Sequence, residues 1–401
     1  MTETWNFHSA GELLFGPGAV EQVGSRCATL GVRRALVVTD PILAAAGHLE
    51  QVQRSLEAAG VTASVFDGGQ AEPSLKVVER CIAFARDASP DGLIGLGGGS
   101  NMDLAKLTAV VLTHGGHPRQ YAGDQNVPGP LLPVICISTT SGTGSEVTPA
   151  AVYTDDEQQI KVSTLSNYLR PRVAIVDPLL TLSCPPKVTA DSGIDALTHA
   201  VEALTATNVI DFHAAPGGSS VYQGRNPLST AFAEQAIALV GQHLVQAFRQ
   251  PQDLRAREGM ALAATLAGLA FSNSGVALVH AMEYPVGGAV HCSHGEGNGL
   301  LLPYVMRFNL PARIEEMATI ARLLGAAATG LDEQQAAGRA IGAVDQLLID
   351  IGIPRRLREL RVTQEQLPGF AVKAFGIKRL MRVNPRQPTL ADIEEIYRQA
   401  W

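Results

Sequence analysis

A chain of 401 residues with 46% hydrophobic content carries enough apolar side chain to fill two ordinary domain cores. Its formal charge of -7, with Lys and Arg spread out rather than gathered in runs, gives no attraction to phosphate backbones or anionic lipid, so nucleic-acid and membrane partners are not expected. Five cysteines (Cys27, Cys81, Cys136, Cys184, Cys292), an odd number without CxxC spacing, suit a reducing, cytoplasmic setting and indicate neither a disulfide framework nor a zinc ribbon. The opening MTETWNFHSAGELLF lacks the apolar stretch of a secretory signal, and no run of about 18 apolar residues occurs, so a soluble, untargeted protein is expected.

In chain order, short β-branched runs alternate with amphipathic stretches through the first 180 or so residues. RALVVTD at 34–40, TASVFD at 62–67, GLIGLG at 92–97, LPVICIS at 132–138 and RVAIVD at 172–177 predict strands, with helical periodicity at 48–59 and 75–88 between them. This is the pattern of a parallel sheet covered on both faces. After Pro185 and Pro186 long Ala, Leu and Glu-rich stretches follow and strand patterns disappear. The expected fold class is α/β plus all-α, with an α/β domain over 1–184 and a helical domain over 185–401. Within the second, VIDFHAAPGGSSVYQGRNPLS at 209–229 reads as a long loop.

GLIGLGGGSNMDLAK places Gly97, Gly98 and Gly99 at the end of an apolar strand and directly before a helix, where backbone amides can approach a phosphate. Ser100 reads as the N-cap, with Asp103 at the capping-box position, so that the helix dipole faces an anion. The usual GxGxxG is missing after the first strand, where VVTDPIL has no glycine. A second cluster, STTSGTGSEVT at 138–148, follows the strand ending at Ile137 and adds hydroxyls and flexible backbone. Two such loops at strand ends argue for a long phosphate-containing ligand. Asp40, closing the first strand of the pattern, can accept hydrogen bonds from a ribose diol and would repel a 2′-phosphate, which favours NAD; the other reading is an ordinary turn aspartate before Pro41.

In DSGIDALTHAVEAL, Asp195 and His199 lie four apart on one helical face. Downstream, His280, His291 and His294 fall within fifteen residues among glycines and apolar side chains. Buried imidazoles need partners, and a divalent metal is a common one. An Asp with three His suits iron(II) or zinc with a position left open for substrate oxygen, and spacing alone does not choose which three histidines bind.

GGGSNMDLAK, STTSGTGSEVTPAAVYTD, VAIVDPLLT, TADSGIDALTHAVEA, AFSNSGVALVHAMEYPVGG, SHGEGNGLLLP and NPRQPTLADIEEIYRQAW resemble, in order and over nearly the whole chain, the iron-containing (group III) alcohol dehydrogenase family. The resemblance implies a Rossmann-like N-terminal parallel-sheet domain, a helical C-terminal domain, the fold shared with dehydroquinate synthases, a metal in the cleft between domains, and a cytoplasmic homodimer. It assigns the metal to Asp195, His199, His280 and His294, the pyrophosphate loop to Gly97, Gly98, Gly99, Ser100 and Asp103, the second nucleotide loop to Thr139, Thr140, Thr143 and Ser145, and the ribose side to Asp40. Lys161 joins the cofactor set on the same ground. His291 is then expected to line the pocket or stand behind the ligands. Four residues after His280, lactaldehyde-reductase-like members carry a further histidine often assigned to proton transfer; here that position is Tyr284, so Tyr284 and His291 are the candidate catalytic residues.

The implied reaction is hydride transfer between a small alcohol or hydroxy acid and NAD, with Fe2+ as the metal and Zn2+ as the alternative. The 209–229 segment resembles one in the hydroxyacid–oxoacid transhydrogenase branch, so a transhydrogenase with bound NAD is an alternative, a dehydroquinate synthase-like lyase a weaker one, and a non-catalytic metal or nucleotide sensor the weakest. IKRLMRVNPR at 377–386 puts Lys378, Arg379 and Arg382 where lactaldehyde-reductase-like members are small and polar, which motivates a carboxylate-bearing substrate such as 4-hydroxybutyrate.

Overall fold

The alternation read from the first half is realised as an open parallel sheet. The computed structural model describes residues 4–157, 160–214, 220–327 and 330–401. The chain divides into two compact units, one of residues 8–184 with 219–221, the other of 1–7, 185–218 and 222–401.

Among the described residues the first unit holds nine strands, β1 (Glu12–Phe15), β2 (Arg34–Val38), β3 (Thr62–Phe66), β4 (Gly92–Gly97), β5 (Gly123–Asp124), β6 (Val134–Ser138), β7 (Ala150–Asp155), β8 (Ile160–Leu165) and β9 (Val173–Val176). Its helices are α1 (Val23–Thr29), α2 (Pro41–Ala45), α3 (His48–Ala58), α4 (Leu75–Ala88) and α5 (Gly99–His114). Six strands form one parallel sheet in the order β1-β9-β6-β4-β2-β3. Side chains alternate across it, as strand geometry requires. Ala35, Val37, Ile135 and Ile137 enter one apolar cluster, while Leu36, Val38, Val134 and Cys136 enter the other. Both faces are therefore buried, which is why these strands read as continuous apolar runs.

Four strands outside the expected set, β1, β5, β7 and β8, complete the unit. The edge strand β1 pairs with β9 over only four residues, too short to show a period. β7 and β8 pair antiparallel in a small separate sheet with β5. Their sequences, AAVYTD and IKVSTL, mix polar and apolar residues because they are only partly covered.

The second unit is helical. It comprises α6 (Pro186–Thr205), α7 (Pro227–Arg249), α8 (Leu254–Ser274), α9 (Leu278–Val290), α10 (His294–Asn309), α11 (Ile314–Leu323), α12 (Glu333–Ile351), α13 (Leu367–Gly376), α14 (Lys378–Val383) and α15 (Leu390–Ala400). No single described helix is long and apolar enough to cross a membrane, and α8 and α9 meet at a bend of 105°. The loop expected over 209–229 ends earlier than its composition suggested. The Asn226 carboxamide accepts the amides of Leu228 and Ser229, and Pro227 occupies the first turn, so α7 starts there. Residues 215–219 of that segment lie outside the described residues.

Candidate metal centre

The glycine loop of the first unit opens α5 two residues earlier than its sequence suggested. Gly98 is the N-cap, with no side-chain cap bond, and the helix begins at Gly99. Ser100 therefore does not cap it; its hydroxyl accepts the Glu72 amide at 3.1 Å. Asp103 does not close a capping box either. Its carboxylate accepts the Ser145 hydroxyl at 2.7 Å and the Val152 amide at 3.0 Å. The physical reason is close packing of the two loops: a Cβ on Gly99 would lie 2.9 Å from Thr143 Cγ2. Gly98 faces Thr140 in the same way, and the Thr139 amide donates to the Gly97 carbonyl. Gly97, Gly98, Gly99, Thr139, Thr140, Thr143 and Ser145 thus form one patch at the ends of β4 and β6, with Asp103 bonded beneath it.

Asp40 holds a more committed position than a free ribose acceptor. Oδ1 accepts the amides of Ile42 and Leu43 as N-cap of α2, and Oδ2 accepts the Asn101 carboxamide at 2.7 Å. A carboxylate offers about four lone-pair sites, so acceptor capacity remains. Lys161 pairs with Glu72 at 2.9 Å, the residue whose amide meets Ser100.

Sequence reasoning missed Lys106. Its ammonium is fully buried and donates to the Ser145 carbonyl (2.6 Å), the Ser145 hydroxyl (2.8 Å), the Ala150 carbonyl (3.0 Å) and the Thr148 carbonyl (3.2 Å). It ties α5 to the far end of the second loop. A lysine three residues beyond Asp103 on a helix otherwise buried at Leu104, Ala105 and Leu107 was the available signal.

In the helical unit, the cluster forms where α6, α9 and α10 meet. A Cβ on Gly295 would lie 2.0 Å from the Asp191 carbonyl oxygen, so only glycine lets the first turn of α10 approach α6 and carry His294 to Asp195. Ligand atoms of Asp195, His280 and His294 all lie within 4.8 Å of one another. His199 Nε2 stands 3.9 Å from Asp195 Oδ2, and its ring stacks between Phe271 (4.2 Å) and His280 (4.8 Å). Burial pushes the Asp195 carboxyl up, but His199, His294, His280 and the Asn298 amide outweigh it and hold the group below the usual carboxylate range.

Asn298 tests whether a cation fits. Its Nδ2 lies 2.8 Å from Asp195 Oδ1, 3.2 Å from His280 Nε2 and 3.1 Å from His294 Nε2. Two amide hydrogens face three acceptors, and the carboxamide oxygen is buried without a hydrogen-bond partner. A set of one carboxylate and convergent imidazole nitrogens that is short of positive charge suits a divalent metal.

Behind the imidazoles stand two glutamates. Glu202 Oε2 lies 2.6 Å from His280 Nδ1, and Glu283 Oε2 lies 2.5 Å from His294 Nδ1. Neither was singled out in the sequence, although both sit at helical spacing from ligands. The Tyr284 ring, half-buried, lies 6.0 Å from that of His294. His291 ends α9 in the left-handed region (φ 54) with its side chain exposed, and among the described residues no hydrogen bond or ring contact joins it to the cluster.

A sheet unit with two glycine- and hydroxyl-rich loops at its strand ends and a helical unit with a convergent Asp and His cluster suit dinucleotide-linked, metal-dependent dehydrogenases. The family model for iron-containing alcohol dehydrogenase matches residues 10–178, and the model for the C-terminal part of the Fe-containing alcohol dehydrogenase family matches residues 218–401. The chain belongs to the iron-containing alcohol dehydrogenase family. It is 40% identical over 389 residues to a 1,3-propanediol dehydrogenase of Klebsiella pneumoniae, covering 96% of each chain. It is 37% identical over 395 residues to an NAD-dependent methanol dehydrogenase of Bacillus methanolicus, covering 98% of this chain and 99% of that one. A solved 1,3-propanediol oxidoreductase superposes with a TM-score of 0.93 at 38% identity, with 100% of both chains covered. The protein is accordingly an oxidoreductase of the iron-dependent class that transfers hydride between an alcohol and NAD.

Proposed function

We propose that this chain interconverts a small alcohol and its carbonyl partner with one divalent cation held by Asp195, His199, His280 and His294. The observation that carries the reading is the convergence of Asp195, His280 and His294 on a single point occupied by an amide with too few hydrogens. Bound there, the cation supplies Lewis-acid polarisation of an alcohol or carbonyl oxygen, while NAD supplies the hydride acceptor. Asp195 contributes the negative charge of the ligand set, and the imidazoles contribute neutral nitrogen donors. Gly97, Gly98, Gly99, Thr139, Thr140 and Thr143 offer backbone amides and hydroxyls for the dinucleotide phosphates, with Asp103, Ser145 and Lys161 holding that patch in shape. Asp40 offers the ribose-side acceptor. Tyr284, beside His294, is the candidate to move the hydroxyl proton; His291, exposed at the end of α9, is the weaker one.

His280→Ala tests the reading. Metal content and turnover should both be lost while dinucleotide binding persists, because the phosphate loops belong to the other unit. A variant that keeps both metal and turnover refutes the site.

A second reading, a short hydroxy acid as substrate, is favoured by one observation. Arg382 is half-buried with its Nε buried and lacking a hydrogen-bond partner. Lys378, by contrast, lies with its ammonium 3.1 Å from the centre of the Phe375 ring. The comparison is kcat/KM for 4-hydroxybutyrate against 1-butanol, in the wild type and in Arg379→Ala and Arg382→Ala. A wild-type preference for butanol removes this reading and leaves the first standing. The five free cysteines support a cytoplasmic setting, and family resemblance supports a homodimer, which sedimentation would test.

A further inference from the structure

We infer that Glu202 and Glu283 are positioning residues that fix the tautomers of His280 and His294 and so present Nε2 of each to the cation; this rests on the metal reading above. A neutral imidazole has one N–H. Each glutamate lies at hydrogen-bonding distance from Nδ1, so the proton sits on Nδ1 and the lone pair on Nε2. The opposite side of each ring agrees. Nε2 of both histidines faces the Asn298 amide, a donor, and must accept.

The placement runs from helix to helix. Glu202 lies three residues beyond His199 and seven beyond Asp195, on the same face of α6. From there it reaches His280 on α9 and also accepts the amides of Ala277 and Val279 at 2.9 and 2.7 Å. These amides at the start of α9 have no partner within that helix, and a carboxylate there is favoured by the helix dipole. Glu283, three residues beyond His280 on α9, reaches His294 at the start of α10. α6 and α9 therefore each supply the carboxylate that orients the histidine on the next helix of the cluster. Both are almost fully buried, at 3% exposure for Glu202 and 0% for Glu283. A charge withdrawn from water this completely needs donors around it, and for both glutamates the imidazole N–H is one of them; a cation bound at Nε2 would polarise that N–H further.

Glu283 gives the cleaner test, because removing Glu202 also strips α9 of its terminal acceptor. The affinity of the full-length apoprotein for Zn2+ is measured by competition with a chromophoric chelator. Glu283→Ala should weaken it by roughly 10- to 100-fold, with Glu283→Gln recovering part of the loss because its carbonyl oxygen still accepts from Nδ1. Thermal unfolding of the apoproteins reports whether the variants fold. Nitrogen-15 histidine spectra of the Zn2+-loaded wild type give a reading free of mutation: His280 and His294 should show protonated Nδ1 and metal-bound Nε2. A folded Glu283→Ala with affinity within about twofold of wild type, or coordination through Nδ1, overturns the inference. If the wild type itself takes up no stoichiometric Zn2+, the metal reading fails first; if it does and Glu283→Ala binds as tightly, only the role of Glu283 fails.

Discussion

Replacing Lys106 with Met keeps an unbranched apolar stem of similar length and removes only the ammonium. Little cavity is left, so the effect is electrostatic. Three backbone carbonyls, those of Ser145, Thr148 and Ala150, lose a donor in a place water does not reach, and each buried acceptor left short costs about 1–3 kcal/mol. Asp103, 4.0 Å away, and the buried Glu146 lose their counter-charge. Against this stands the desolvation of the ammonium itself, which the variant escapes. Removal of one partner from a buried charged set leaves the others uncompensated, and the net destabilisation should be about 3–5 kcal/mol. Urea unfolding gives the stability, and fluorescence titration gives NAD affinity, which should weaken because the 138–148 loop loses its anchor. Burial also pulls the Lys106 pKa below the ordinary lysine value, so the unfolded chain binds the proton more readily than the folded one. Between the lowered value and the ordinary one, wild-type stability should therefore rise with pH, and the Met variant should lack that rise. An unfolding free energy within about 1 kcal/mol of wild type, together with unchanged NAD affinity, would refute the assignment of Lys106 as the loop's anchor.

Asp40→Gly should raise the ratio of NADP to NAD efficiency by removing the charge that opposes a 2′-phosphate, at a helix-cap cost of only a few tenths of a kcal/mol. A wild type that already prefers NADP would show that Asp40 does not face the ribose. Tyr284→Phe removes one hydroxyl, so turnover should fall while metal content and folding hold; unchanged turnover and substrate affinity would leave the ring as packing. Burial pushes the thiols of Cys27, Cys81 and Cys136 up to about 12, whereas Cys292 is half-exposed. At pH 8 an aromatic disulfide reagent should modify Cys292 first in the native protein and reach those three only after unfolding; uniform reaction of all five thiols would contradict the packing.

The parallel sheet was legible because strands buried on both faces leave uninterrupted apolar runs, as VVTD, GLIGLG and VICIS show. What escaped was partly covered or short. β1 offers four residues at a sheet edge, and β7 with β8 alternates polar and apolar side chains too loosely to separate strand from loop. The start of α5 was misplaced for a related reason. Ser100 has the right chemistry for a cap, but the cap falls on Gly98 because the backbone must come within contact of Thr140 and Thr143, a tertiary demand invisible in local sequence.

Of the candidate metal centre, sequence offered the proposed ligands and none of the residues behind them, although these obey the same helical spacing. Asp195, His199 and Glu202 stand at i, i+4 and i+7; His280 and Glu283 at i and i+3; His294 and Asn298 at i and i+4. Each ligand helix thus holds a second polar residue on its ligand face, turned toward the neighbouring helix. Residues such as glutamate and asparagine belong to ordinary exposed helix surface, so their spacing alone carries little information. It gains meaning only once that face is buried. Glu202, Glu283 and Asn298 are each at most 3% exposed, and a polar side chain in that condition must be bonded to something that justifies its burial. The search rule that follows is specific to helical metal sites: from each candidate ligand, step three or four residues along the same face and ask whether a carboxylate or amide sits there among apolar neighbours. In HAMEYPVGG and HGEGNGLLL that step lands on Glu283 and Asn298, and in DALTHAVEAL it leads from His199 to Glu202.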